Sequence, residues 1–156
     1  MKKLLPSFSI FAIILFASLL LKAQTTTYKQ DYFNKDKINF YQSGSLIGYA
    51  QVDYFDKSKI NIYNASGALI RTEKADYFDP STTNITNGSG TKIGSTQQDY
   101  FNKDKTNIKD KNGNIVGYTI EDYFDKDKIN VYNNYGTQIG YYKRNYFSGD
   151  WEYHQQ

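Results

Sequence analysis

Five aspartates recur at Asp31, Asp53, Asp76, Asp99 and Asp122, each opening an Asp-Tyr-Phe triad, and a sixth triad opens with Asn145. A catalytic carboxyl pair needs two acids in unlike environments, so that one gives a proton while the other stays charged. Five equivalent aspartates fit a structural task better, such as accepting hydrogen bonds from turn amides. His154 is the only histidine and there is no cysteine, so no nucleophile with a positioned base stands out. The sequence therefore predicts a protein that is not an enzyme, with no catalytic residues. Asp125-Lys126-Asp127, Asn34 with Asp36, and Asp110-Lys111-Asn112-Gly113 have the flavour of calcium loops. Such a loop needs several oxygen ligands, usually with a closing Glu, and the interleaved lysines oppose a dication. No metal site and no cofactor are expected.

The aromatic residues are the other candidates. Tyr49, Tyr118, Tyr141 and Tyr142 lie outside the triads and could stack on sugars or other flat ligands. The favoured reading is that they serve as cross-strand aromatic pairs, because so small a repeat needs its aromatics for cohesion. Phe33, Phe55, Phe78, Phe101, Phe124 and Phe147 close the six triads. A fully buried Phe contributes roughly 1.5–3 kcal/mol, and this column is expected to be the hub of the core.

The triads are spaced by 22, 23, 23, 23 and 23 residues. A fixed period of this size marks a supersecondary unit that buries its apolar face only by stacking on copies of itself. A short strand reads Ile38-Asn39-Phe40-Tyr41, with counterparts at 60–63, 83–86, 106–109 and 129–132, and alternates with period two. A longer strand is predicted from Leu46 to Phe55 and from Ile115 to Phe124. Gly and Asn at 42–44, 64–67, 87–90, 111–113 and 133–136 suit hairpin turns. The other turns, such as Asn34-Lys35-Asp36-Lys37, alternate in charge, which discourages pairing between molecules. Gly48, Gly94, Gly117 and Gly140 share one position in the long strand, with Arg71 the exception. Glycine there points to a bulge or a bend that curves the sheet.

Six units near 25–43, 45–66, 68–89, 91–112, 114–135 and 137–154 give twelve strands, beginning with a long strand and ending with a short one. Such a chain can pair its last strand with its first. The predicted fold is all-β: antiparallel hairpin repeats in a closed, shallow, flower- or barrel-like ring, with an open single-layer sheet as the alternative.

Residues 1–23 differ in kind. Lys2 and Lys3 precede an apolar run from Ile10 to Leu21, and Ala23 comes before a polar chain, the pattern of a secretory signal peptide. An uncleaved anchor is the alternative, since Leu4 to Leu21 approaches the ~18 apolar residues of a membrane helix. Setting aside Lys2, Lys3 and Lys22 reduces the 19 basic residues to 16, matching the 16 acidic ones. A neutral domain at 24–156 offers no basic face for nucleic acid, and no mature transmembrane segment is expected. Export to the periplasm, cell surface or exterior follows, with a cell-envelope glycan, lipid or protein as the partner class.

The Gly-turn hairpin of about 23 residues resembles the MORN-type repeat in period and topology, without its Trp and Lys-x-x-Gly signature. Gly140-Tyr141-Tyr142 resembles choline-binding cell-wall repeats, whose ligand cages take a Trp from each repeat; this chain has only Trp151. From Thr25 to about Tyr153 the chain resembles the bacterial β-flower proteins, in segments such as Gly136-Thr137-Gln138-Ile139-Gly140-Tyr141. That resemblance implies a radially symmetric ring of hairpin petals and an exported protein of unestablished role. The expected function is an envelope-associated binding or scaffold module, the alternative being a glycan- or lipid-headgroup-binding domain that uses repeated tyrosines.

Overall fold

A computed structural model describes residues 25–156, so the expected signal peptide lies outside the described residues. Twelve strands follow in order: β1 (Thr25–Gln30), β2 (Lys37–Gln42), β3 (Ser45–Val52), β4 (Lys59–Asn64), β5 (Leu69–Ala75) and β6 (Thr82–Asn87). The second half repeats the scheme with β7 (Lys92–Gln98), β8 (Lys105–Asp110), β9 (Ile115–Glu121), β10 (Lys128–Asn133), β11 (Gln138–Arg144) and β12 (Trp151–Gln155). Each strand pairs antiparallel with its sequence neighbours, and β1 pairs with β12, which closes the sheet into a barrel. The closed ring expected from the strand count is the ring observed, and among the described residues no free sheet edge remains to template aggregation.

Period-two alternation sorts each strand between the two sides of the wall. Tyr28 faces Phe40, Ala50 faces Ile62, and Tyr142 faces both Ile129 and Tyr153 across the strand pairs. These side chains are buried and form one inner-face cluster with Val131 and Trp151. Ile85 and Ile108 hold the equivalent inward places on β6 and β8 and are just as buried. The intervening Asn61, Tyr63, Asn130 and Tyr132 belong to the outer face.

In β2–β3, β4–β5, β6–β7, β8–β9 and β10–β11 the pairing slips by one residue at the same place: Val131 faces Gly140, but Tyr132 faces Gln138. The skipped residue, Ile139 in this case, precedes the recurrent glycine, so the glycine column does mark a bulge. A Cβ at Gly117 would stand 2.6 Å from the Tyr132 carbonyl oxygen of the next strand, closer than any side chain tolerates. The repeated bulge adds local bend and twist at each unit, as closure of a sheet requires.

The long strands end earlier than expected. β3 stops at Val52 and β9 at Glu121, so every Asp-Tyr-Phe triad falls in the loop rather than in the ladder. This corrects the role expected of Phe33, Phe55, Phe78, Phe101, Phe124 and Phe147. They are 90–95% exposed and stand outside the core. The physical reason is local. The aspartate side chain captures the backbone amides of the next residues and turns the chain out of the sheet before Tyr and Phe can alternate across it. The inner wall is filled instead by isoleucine, valine and tyrosine from the strands.

Substitution should separate the two aromatic and aliphatic sets. Ile108→Ala removes a fully buried side chain and is expected to cost about 2–5 kcal/mol in urea unfolding. Phe101→Ala should stay within about 0.5 kcal/mol of the parent. Equal losses would contradict the assignment of core and surface.

Candidate functional site

The loops β1–β2, β3–β4, β5–β6, β7–β8, β9–β10 and β11–β12 all lie at one end of the barrel, because each joins an odd strand to the following even one. In the β9–β10 loop, Asp122 Oδ1 accepts the backbone N–H of Phe124 at 3.0 Å and of Asp125 at 3.2 Å. Its Oδ2 accepts from Asn130 Nδ2 at 3.0 Å, out of the following strand. The same clasp joins Asp31 to Asn39, Asp53 to Asn61, Asp76 to Asn84 and Asp99 to Asn107. Lys37, Lys59 and Lys128 lie within 3.6–3.9 Å of the corresponding carboxylates. A second acceptor, Asn34, Asp56, Asp79, Asn102 or Asp125, takes the N–H two residues on. The sixth loop reverses the polarity: Asn145 Oδ1 holds the amides of Phe147 and Ser148, and its Nδ2 donates to Glu152 Oε1 at 3.2 Å. The expected structural task of the aspartate column, holding turn amides, is therefore what the loops display.

Each clasped loop carries its tyrosine and phenylalanine outward as an edge-to-face pair, with ring centroids 4.9–5.4 Å apart. The tyrosines are 81–93% exposed. One rim of the barrel thus bears a crown of six aromatic tips, twelve rings in water. Isolated exposed apolar side chains are ordinary, but twelve rings repeated at one rim point to an interaction surface. The crown is the candidate site.

The four tyrosines singled out from the sequence lie elsewhere. Tyr142 is fully buried on the inner wall beside Tyr28, and burial raises the pKa of both hydroxyls; as a surface ligand contact it is withdrawn. Tyr49 stacks on Tyr63 at 4.9 Å, Tyr118 on Tyr132 at 5.0 Å and Tyr141 on His154 at 4.9 Å. From the strand on the other side, Lys37, Lys105 and Lys128 cover these tyrosines at 4.3, 4.4 and 5.1 Å. A ligand could stack there only by displacing a ring or an ammonium. These side chains are wall cohesion on the outer surface.

A second polar feature was not foreseen. Arg71, standing where its sister units have glycine, points inward and pairs with Glu73 at 3.2 Å, both almost fully buried. Burial pulls the guanidinium pKa down and the neighbouring carboxylate opposes that pull. The exceptional arginine in the glycine column, followed two residues later by an acid on the same face, was the available signal. The carboxylates of the calcium-like segments are committed to the protein: Asp125 to Lys143, and Asp110 to the amides of Asn112 and Asn114.

The fold defines a class, a closed antiparallel barrel of β-hairpin repeats. No protein-family model matches the chain, and no curated protein does so. The X-ray structure of a protein from Arabidopsis thaliana is similar to it, with a TM-score of 0.64 over 85% of this chain and 80% of that one, at 9% identity. At that identity the likeness concerns the fold alone.

The clasps make stability acid-sensitive. The carboxyls of Asp31, Asp99 and Asp122 are held below their ordinary pKa of 3.8 first by the asparagine side chains, and those of Asp53 and Asp76 first by the amides of Asp56 and Asp79. Asp56 and Asp79 drop to about 2, through Lys74 and Ser81 respectively. A lowered folded-state pKa stabilises the fold above the ordinary value, and that stability is lost as pH falls through the lowered one. Melting temperature, followed by circular dichroism, should therefore be flat from neutrality to about pH 4 and fall toward pH 2. Asn130→Asp would set a second carboxylate against Asp122. It should melt several degrees below the parent at neutral pH, with the gap narrowing near pH 5. A gap that widens on acidification would refute the clasp.

Proposed function

We propose that this chain is an exported, non-enzymatic binding module of the cell envelope, and that the aromatic crown is its contact surface. The observation that carries this reading is the exposure of all six phenylalanines on hydrogen-bonded loops at one end of a closed barrel. The barrel does not use these rings for its own core, yet each is fixed in place by a loop that spends several hydrogen bonds on positioning it. Six equal, individually weak contacts suit a broad or repetitive partner, because engagement of one tip raises the effective concentration of the next. The secretory pattern at residues 1–23 and the likeness of its Gly-x-x-Ile-Gly-Tyr segments to β-flower repeats are consistent with an envelope setting.

Sedimentation with a total cell-envelope fraction tests the reading. The chain recovered from the producing cell should pellet with that fraction. A variant in which all six triad phenylalanines become Ser should remain in the supernatant at least tenfold more, with its melting temperature unchanged. Equal pelleting of parent and variant would show that the crown is not the contact surface.

A further inference from the structure

Resting on the binding-module reading, we propose that the crown docks flat on a phospholipid bilayer, with the phenylalanines entering the acyl boundary and the tyrosines at headgroup depth. The geometry of the tips points to a surface rather than to a pocket. They share one end of the barrel, each pairs its rings only within its own loop, and no two tips contact one another through their rings among the described residues. A bilayer is continuous and level, so all six tips can enter together. At about 150–250 Å² a ring, the phenylalanines alone would bury on the order of 1,000 Å² of apolar area. Tyrosine, with an apolar ring and a wet hydroxyl, belongs at the membrane–water boundary.

Three lysines at the rim add a contact for lipid phosphate. Asp36 pairs with Lys57 of the neighbouring loop, and Asp56, Asp125 and Asp127 pair with Lys74, Lys143 and Arg144 of the wall, so these four tip carboxylates are neutralised within the protein. Lys35, Lys103 and Lys126 form no ion pair among the described residues, and neither do the loop carboxylates Asp76, Asp79, Asp99 and Asp104, of which Asp76, Asp79 and Asp99 accept hydrogen bonds within their own loops. Lys103 lies 5.7 Å from the ring of Tyr100, with its long stem along the aromatic and its ammonium group free to reach lipid phosphate. A glycan is less well matched. Sugar recognition needs polar groups beside the stacking ring, and both oxygens of each clasp aspartate are already occupied by loop amides and asparagine.

Flotation with phosphatidylcholine vesicles, and with vesicles also containing phosphatidylglycerol, tests the proposal on the exported chain. The parent should float with both, and brominated acyl chains should quench its tyrosine emission. Each Phe→Ser substitution should weaken partitioning about 3–10-fold, and the sixfold variant should not float. Combined Lys35→Gln, Lys103→Gln and Lys126→Gln should lower only the added affinity for phosphatidylglycerol. Failure of the parent to float, or flotation of the sixfold variant, would overturn bilayer docking. Rim-dependent dimerisation in free solution without flotation would overturn it in favour of a second copy. Pelleting with lipid-free cell-wall polysaccharide but not with vesicles would overturn it in favour of a glycan. In that last case crown-dependent envelope binding survives; loss of envelope pelleting as well would remove both.

Discussion

Each carboxylate of the aspartate column takes hydrogen bonds from two amides of its own loop and from an asparagine on the strand that follows. The rest of the molecule follows from this arrangement. The amide bonds end the long strand and set the loop conformation. The asparagine bond ties that loop to the outer face of the wall. Because the carboxylate is charged, the bonds are of the stronger, charge-assisted kind. Their repetition gives five units the same loop bonding at the same rim.

This clasp explains how far the sequence could be read. The period, the Gly turns, the bulge at the glycine column and the closing of β12 on β1 were legible, because each depends on local chemistry repeated with small variation. Turn glycines such as Gly67, at φ +83°, announce themselves by type. The position of the phenylalanines was not legible from hydrophobicity. Phe55 follows Tyr49, Ala50, Gln51 and Val52 with what looks like continued alternation, and only the capture of its amide by Asp53 removes it from the sheet. Apolar character predicts a place in the core when the backbone is free to deliver it there. Here two side-chain hydrogen bonds decide otherwise, and Ile62, Ile85 and Ile108 take the place expected of phenylalanine.

In the first five units, variation spares the clasp and falls at other places in the wall. The stacked tyrosine pairs at Tyr49–Tyr63 and Tyr118–Tyr132 are replaced at the β5–β6 junction by Thr72 opposite Thr86, and at the β7–β8 junction by Ser95 opposite Lys109. Arg71 and Glu73 are admitted to the inner wall of one unit as a mutually compensating pair. Breaking such a pair is costly because it strands a buried charge, so the two positions are bound to vary together. Asn145 and Glu152 exchange the donor and acceptor roles of the other loops while keeping the bond between them.

Eleven of the twelve strand junctions join neighbours along the chain, whereas β1 meets β12 across almost the whole domain, with Thr25 opposite His154. That seam has no covalent turn to hold it. During synthesis β1 must therefore wait, one side unpaired, until the last strand emerges, and entropy makes its closure the last event of folding. Until then the waiting strand is open to β12 of a neighbouring chain, and crowding of half-made rings, by raising the concentration of that competitor against the tethered strand, favours exchanged dimers joined at this seam.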